Sequence, residues 1–585
     1  MNEREAHDQQ QSTRPVTSDT LVSTALSCAF FMTLVGWISW LRTRGTAETK
    51  DGYFLAGRGL GATFIAGSLL LTNLSAEQLI GLNGSAYGFN MSSMGWEVTA
   101  AVATIAMALI FLPKYLAGAF TTLPQFLNDR FDPTVRRMSV LLFMLGYGLV
   151  TIPSVLYSGS LAVIAFFDVP SLTGLGEFAS LVMMVVVIGV IGSVYAVFGG
   201  LRAVAISDTL NGVGLLIIGI LVPVFGLIAL GQGDFAAGLA QLGNEHPEKL
   251  NAIGGADDPT PFGTIFTGMV FANLFYWCTN QYVIQRTLGA KSLAEGQKGV
   301  LLSGFFKILV PFMMMIPGVI AFHMYGPNLG GIDEAYPRLI RDVLPLWMSG
   351  FFLAVLLGAV LSSFNSLLNS AATLFALDVY APARSGKVSD ADLVRVAKIA
   401  SVVIALFSFV VAPYLSQAPE GLFQLIRKFT GFYNIPTIVI VIVGLFTSRV
   451  PALGAKIVVI FHITAYALLT FVLNEQVTLH FIHQYAVLFV IEVSIMLACG
   501  ALRPRREAWQ FTRNEQVDMT PWPFAKPLAV TLFSCVVATY LLFSPMGVAS
   551  QAGPGMVFAA LIGALIAGNA VVWGLAAKRL QLSHE

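Results

Sequence analysis

Apolar runs long enough to cross a hydrocarbon layer, about 20 residues each, recur from one end of the chain to the other, and short segments between them hold most of the charge. The pattern predicts about 15 spans, at 20–41, 60–87, 91–113, 134–167, 178–199, 204–231, 261–288, 298–325, 344–380, 393–414, 418–447, 450–475, 480–501, 525–543 and 555–577. Because backbone groups find no water in a bilayer, such spans must be helices.

Polar islands interrupt the apolar pattern. LTNLSAEQLIGL (71–82) carries Asn73, Ser75, Glu77 and Gln78. On a helix Asn73, Glu77 and Gln78 share roughly one face, and the glycines that follow, Gly81 and Gly84, tolerate a break. An interrupted helix frees backbone carbonyls at membrane depth, which suits a sodium ion. Five spans later, FANLFYWCTNQYVIQRTL (271–288) places Asn273, Tyr276, Trp277, Asn280 and Gln281 inside one apolar segment. Two interrupted spans at matching positions point to an inverted repeat with a binding site between its halves. Tyr276 and Trp277 read either as an interfacial belt or as a stacking platform for a polar, ring-shaped solute.

Other polar positions extend this reading. Glu97 sits in MGWEVTA and Lys307 lies nine residues into its span; a lysine there either snorkels to the surface or faces a protein-lined cavity. Carboxylates, amides and one ammonium around an aromatic face complement hydroxyl groups, a pattern that reads as sugar binding. LSSFNSLLNSAATL (361–374) carries a run of hydroxyls and amides. These line helix contacts or, with the freed carbonyls, supply Ser362 and Ser363 as hard ligands for sodium. Asp208 either holds an ion on its way out or pairs with Arg202.

Composition agrees: 56% of residues are hydrophobic, 11% are charged and the mean hydropathy is +0.75, values outside those of soluble domains. A net charge of +1 gives no reason to expect a nucleic-acid partner. Of the 33 basic residues, 25 fall in or beside alternate loops, whereas only Arg4, Arg14, Lys249, Arg338 and Arg341 lie on the other side. This bias puts the N-terminus outside and the C-terminus in the cytoplasm. Lys307, Arg427 and Lys428 remain within spans, where a central charge costs about 3 kcal/mol and marks a functional position. Cys28, Cys278, Cys499 and Cys535 lack metal-ligand spacing, and no phosphate-binding, nucleophile-elbow or HExxH motif argues for an enzyme.

At DGYFLAGRGLG, NLSAEQLIG, MGWE, FGGLRA, FYWCTNQYVIQRTLGAKSLAEGQKG and SSFNSLLNSAAT the chain resembles the solute:sodium symporter family, in its sodium/glucose cotransporter branch. The resemblance implies an all-α integral membrane protein with a LeuT-type core of two inverted five-helix repeats, at 60–231 and 261–447. Around it stand an extracytoplasmic tail (1–19), a peripheral first helix (20–41) and four peripheral helices (450–578). It implies sugar contacts at Gln78, Glu97, Asn273 and Lys307, to which the aromatic reading adds Trp277. Tyr276 becomes an inner gate, and Leu82, Trp96 and Phe423 an outer one. Sodium falls on the carbonyls of Leu71, Leu74 and Ala359 and the hydroxyls of Ser362 and Ser363, with Asp208 as release residue. Two positions depart from the family's sugar carriers: Ala100 stands in place of a serine, and Arg427 in place of a glutamine. A guanidinium binds anionic oxygens far better than an amide does, so the substrate is either a sulfated or carboxylated sugar, or a neutral one with Arg427 paired to Glu97. The expected function is sodium-coupled sugar import by alternating access across a bacterial inner membrane. Proton coupling through Glu77, Glu97 or Asp208, and a membrane sensor, are the competing readings.

Overall fold

The computed structural model describes residues 18–43, 49–167, 169–327, 329, 331–384, 388–417, 422–511, 513 and 515–582, without the side chains at 18–21, 50, 165–166, 195–200, 417–425 and 428. Among these residues the regular structure is helical, with two isolated bridges and no named strand.

The crossing elements, in chain order, begin with α1 (Ser18–Thr43), α2 (Ala62–Asn73 with Ala76–Gly88), α3 (Met91–Gly118) and α4 (Pro133–Ile164). Next come α5 (Glu177–Val194) and α6 (Leu201–Leu230), both within one helical stretch, and α7 (Gly268–Cys278 with Gln281–Leu288). The second half continues with α8 (Leu293–Tyr325), α9 (Leu346–Ala383), α10 (Asp390–Ser416) and α11 (Leu422–Phe446). Four more follow: α12 (Ala452–Val472), α13 (Phe481–Leu502), α14 (Ala525–Leu542) and α15 (Met556–Leu582). Thirteen helices among the described residues are long and apolar enough to cross a membrane, and the bent α2 pair makes a fourteenth. The fifteenth predicted span is α7, two helices too short to qualify singly.

Burial separates core from rim. In α9, 89% of the most apolar stretch is buried, against 17% in α1 and 0% in α15. The serine-rich sequence of α9 explains its place, because small side chains let helix backbones approach closely in a medium where packing drives association. Helix α6 is wedged beside it: a Cβ on Gly358 of α9 would stand 2.6 Å from Asn211, and one on Gly67 of α2 would stand 2.6 Å from Thr209.

Arg130, counted above among the loop cations, is fully buried. Its guanidinium donates to the carbonyls of Gly444 (2.9 Å), Thr447 (3.0 Å) and Val450 (3.2 Å) and lies over the rings of Phe131 and Trp509. It caps the end of α11, where unpaired carbonyls and the helix dipole favour a cation. Asp132 accepts from the backbone N–H of Thr134 and Val135 at the start of α4 and pairs with Lys456 of α12 at 2.5 Å. Partial burial pushes its carboxyl up, but the Lys456 ammonium and the two N–H donors outweigh this and hold it below the usual carboxylate range.

Candidate functional site

The break in α2 falls at Leu74–Ser75, where the backbone turns extended and the two halves meet at 59°. It is not at the glycines expected to allow it. Gly84 lies inside the second helix, where a Cβ would come within 2.7 Å of the Ile332 carbonyl, so that glycine serves a close approach instead. What restarts the helix is a capping box: Gln78 Oε1 accepts from the Ser75 N–H at 2.9 Å and from Ser75 Oγ at 3.2 Å. In α7 the corresponding break is at Thr279–Asn280. Asn280 accepts from the Tyr147 hydroxyl at 2.5 Å, which ties this break to α4.

Between the two breaks lies an empty space of about 1020 Å³, part of it open to solvent. Asn73, Glu77 and Gln78 line it from α2, Trp96, Glu97 and Ala100 from α3, and Asn273, Tyr276 and Trp277 from α7; Arg427 and Tyr433 of α11 close another side. Of the residues assigned to solute contact, Gln78, Glu97, Asn273, Tyr276, Trp277 and Arg427 thus meet around one cavity.

Lys307 does not line it. Its ammonium donates to Glu97 behind the wall and faces the Trp277 ring, 5.5 Å from the centroid. With 1% of its side chain exposed, it does not snorkel. Asn273 Nδ2 donates to Thr99 Oγ1 at 2.9 Å. The Arg427 guanidinium lies 4.1 Å from the centroid of the Trp96 ring and within electrostatic reach of both Glu77 and Glu97. Buried Glu77 Oε2 has no hydrogen-bond partner.

The gate residues separate. Trp96 and Tyr276 line the cavity, and the Tyr276 hydroxyl accepts from that of Tyr282 at 2.7 Å. Leu82 is buried in the second half of α2 away from the lining, and the side chain of Phe423 lies outside the described residues.

Of the residues assigned to sodium, Ser363 of α9 meets Leu71 beside the α2 break. Leu71, Leu74 and Ala359 are fully buried; Ser363 Oγ donates to the Leu71 carbonyl at 3.2 Å, and the buried Ser362 hydroxyl faces Asp208. Neutral carbonyl and hydroxyl oxygens are the ligand type that fits a hard monovalent cation. Asp208 is fully buried and accepts from Ser68 Oγ at 2.6 Å, while Arg202 is exposed, so the two do not pair. Its cationic neighbour is Arg286, which also donates to Ser68 Oγ (3.2 Å), to the Tyr282 carbonyl and to Ser366. Arg286 had been grouped with the loop cations; its place inside the predicted span 261–288 was the signal that it is internal. No sequence signal pointed to Thr151 of α4 or to Tyr485 of peripheral α13, which also line the cavity.

Two broken helices facing each other across a polar cavity inside a membrane-spanning bundle define a multi-pass membrane transporter rather than an enzyme. Residues 53–461 match the sodium:solute symporter family, and the chain belongs to it. It is 44% identical over 549 residues to the uncharacterized symporter YidK of Escherichia coli (strain K12), covering 94% of this chain and 95% of that one. It is 31% identical over 449 residues to the sodium/glucose cotransporter of Vibrio parahaemolyticus, covering 72% of this chain and 80% of that protein. With human sodium/myo-inositol cotransporter 2 the identity is 28% over 462 residues, covering 74% and 67%. The outward-open structure of a sodium-coupled sialic acid symporter superimposes with a TM-score of 0.70 at 21% identity over 82% of this chain and 98% of that one, a likeness of fold: the LeuT-type arrangement.

Proposed function

We propose that the protein imports a neutral, polyhydroxylated, sugar-like solute with sodium, by alternating access. The carrying observation is the charge arrangement of the cavity. Lys307 neutralises Glu97, and Arg427 stands within electrostatic reach of Glu77, so every formal charge at the wall has an opposite neighbour. Carboxylates and amides beside the Tyr276 and Trp277 rings offer hydroxyl groups hydrogen bonds and a ring face an aromatic surface. Relatives named for glucose and myo-inositol transport agree with such a solute.

In this reading Gln78, Glu97 and Asn273 contact hydroxyls, with Lys307 holding Glu97 in position. Tyr276 closes the inner side of the cavity and Trp96 the outer, with Leu82 above it. Sodium sits among the Leu71, Leu74 and Ala359 carbonyls and the Ser362 and Ser363 hydroxyls, bridging the α2 break to α9, and leaves past Asp208. The N-terminus is outside the cell, the C-terminus in the cytoplasm, and the membrane is a bacterial inner membrane. One sodium moving through 100 mV releases about 2.3 kcal/mol and a tenfold gradient about 1.4, enough for accumulation on the order of 500-fold.

The competing reading is an anionic sugar held by Arg427, whose guanidinium lines the cavity. Uptake into liposomes carrying the purified protein separates the two, using labelled neutral, carboxylated and sulfated sugars with and without an inward sodium gradient. Sodium-dependent uptake of neutral sugars that survives Arg427→Gln is the expected result. A preference for acidic sugars that Arg427→Gln abolishes would transfer the assignment to the anionic class, and uptake driven by a proton gradient with sodium replaced at fixed pH would overturn the ion.

A further inference from the structure

On the opposite face of the cavity wall lies a second space, a groove of about 1410 Å³ between α4, the end of α10, α11 and α12. Among the described side chains no charged one lines it; its walls include Leu145, Leu149, Tyr414, Phe429 and Phe471, which are 37% to 60% exposed. All four helices are membrane spans, so the groove opens at a depth where the surrounding medium is hydrocarbon. Its floor is Tyr433, the one described residue that lines both this groove and the solute cavity. The Tyr433 ring fills the space that a side chain at Gly146 would need, with ring atoms 2.8 and 2.9 Å from where a Cβ would stand, and its hydroxyl reaches Thr151 Oγ1 on the cavity side at 3.5 Å.

We propose that this groove is a binding site for one acyl chain of a membrane phospholipid, which braces Tyr433 from behind and ties solute affinity to the chain type of the bilayer. The occupant follows from the chemistry of the walls and of the medium. A headgroup or a sugar would leave its hydroxyls without partners along Leu145, Leu149, Phe429 and Phe471. A flexible hydrocarbon chain restores the dispersion contacts that an unfilled groove lacks. Since no water is expelled inside a bilayer, packing alone holds the chain, and it exchanges with bulk lipid.

The test reconstitutes the full chain in vesicles of phosphatidylcholine containing a diazirine-bearing acyl chain. Labelling should concentrate on Leu149, Phe429 and Phe471 relative to Leu141 and Ile460, exposed residues of α4 and α12 that do not line the groove. Leu149→Trp, which fills the groove, should abolish the excess, while Leu141→Trp should not. Labelling no denser in the groove than at Leu141 and Ile460, or unchanged by Leu149→Trp, overturns the site. The bracing is read separately, as the KM for sodium-driven galactose uptake in straight-chain against methyl-branched phosphatidylcholine of equal thickness. A shift of about fivefold is expected, the lower end of allosteric couplings, and it should vanish in Leu149→Trp; a KM indifferent to chain type overturns the bracing. This second arm rests on the sugar reading and the labelling does not, so absence of any galactose uptake counts against that reading and leaves the lipid site to the labelling result.

Discussion

Lys307 holds Glu97 from outside the cavity while Glu97 alone of the pair faces in. A lysine that the sequence places among solute contacts is therefore a positioning residue: it fixes the direction of a carboxylate that lines the cavity. Removing either partner strands a buried charge, which costs about 3–5 kcal/mol. Lys307→Met and Glu97→Gln should each lower the melting temperature in detergent, and the double variant should recover much of the stability without recovering solute affinity. Additive losses in the double variant would show that the pair is not coupled.

The sodium assignment makes Ser363 a direct ligand and places its hydroxyl against the Leu71 carbonyl. Ser363→Ala should raise the sodium concentration for half-maximal uptake by about tenfold, one oxygen contact of about 1 kcal/mol or slightly more, with the solute KM at saturating sodium little changed. An unchanged sodium dependence would remove Ser363 from the site.

Gln78 is expected to behave as two residues. Gln78→Glu keeps the acceptor that Ser75 uses, whereas Gln78→Leu deletes it. The leucine variant should lose about 1 kcal/mol of stability, the usual value of a helix cap, in addition to solute affinity; the glutamate variant keeps the cap but buries a second carboxylate beside Glu77, so it should also melt below the parent, by less in acid than near neutrality. Thermal unfolding and uptake measured on the same preparations separate the two effects.

Arg130 serves three carbonyls at the end of α11 with one planar group. Arg130→Lys should rescue little, because an ammonium cannot reproduce the fork, and both Arg130→Lys and Arg130→Ala should destabilise by about 2–3 kcal/mol through carbonyls left without a donor. Melting curves of the two variants should nearly coincide; a lysine variant as stable as the parent would argue for charge alone.

The Asp132–Lys456 pair sets a pH dependence. The folded carboxyl titrates below its unfolded value, so its contribution is full above the unfolded pKa of about 3.9 and is lost as pH falls through the lower folded pKa. The pair keeps 28% and 30% of its side-chain surfaces exposed, which limits the effect to about 1 kcal/mol. Lys456→Met should melt earlier than the parent near neutrality, with the gap closing below about pH 4; a gap that persists in acid would trace the loss to packing of the lysine stem.

Much of this architecture was legible because a bilayer simplifies the code: a run such as 134–167 has one way to satisfy its backbone. The polar islands were legible for the same reason, since Glu77 or Asn273 stands out against hydrocarbon. What could not be read was depth and direction. Arg130 sits in polar sequence near a span end, as any loop cation would, and only three-dimensional packing turns it inward. The break in α2 was assigned to conformational freedom at glycine, whereas side-chain hydrogen bonding by Ser75 and Gln78 sets it. Thr151 and Tyr485 reach the cavity from helices whose sequences carry no mark of it, because a wall residue supplied from afar obeys no local spacing.

The capping role of Gln78 has a consequence for how such a protein can change over generations. One amide both faces the cavity and fixes where the second half of α2 begins, so a substitution that retunes solute preference at this position also shifts the backbone at the break proposed to hold the ion. Taste in cargo and grip on the driving ion are therefore inherited together here, and a lineage acquiring a new cargo has easier routes through Ala100 and Arg427, whose side chains serve no helix start.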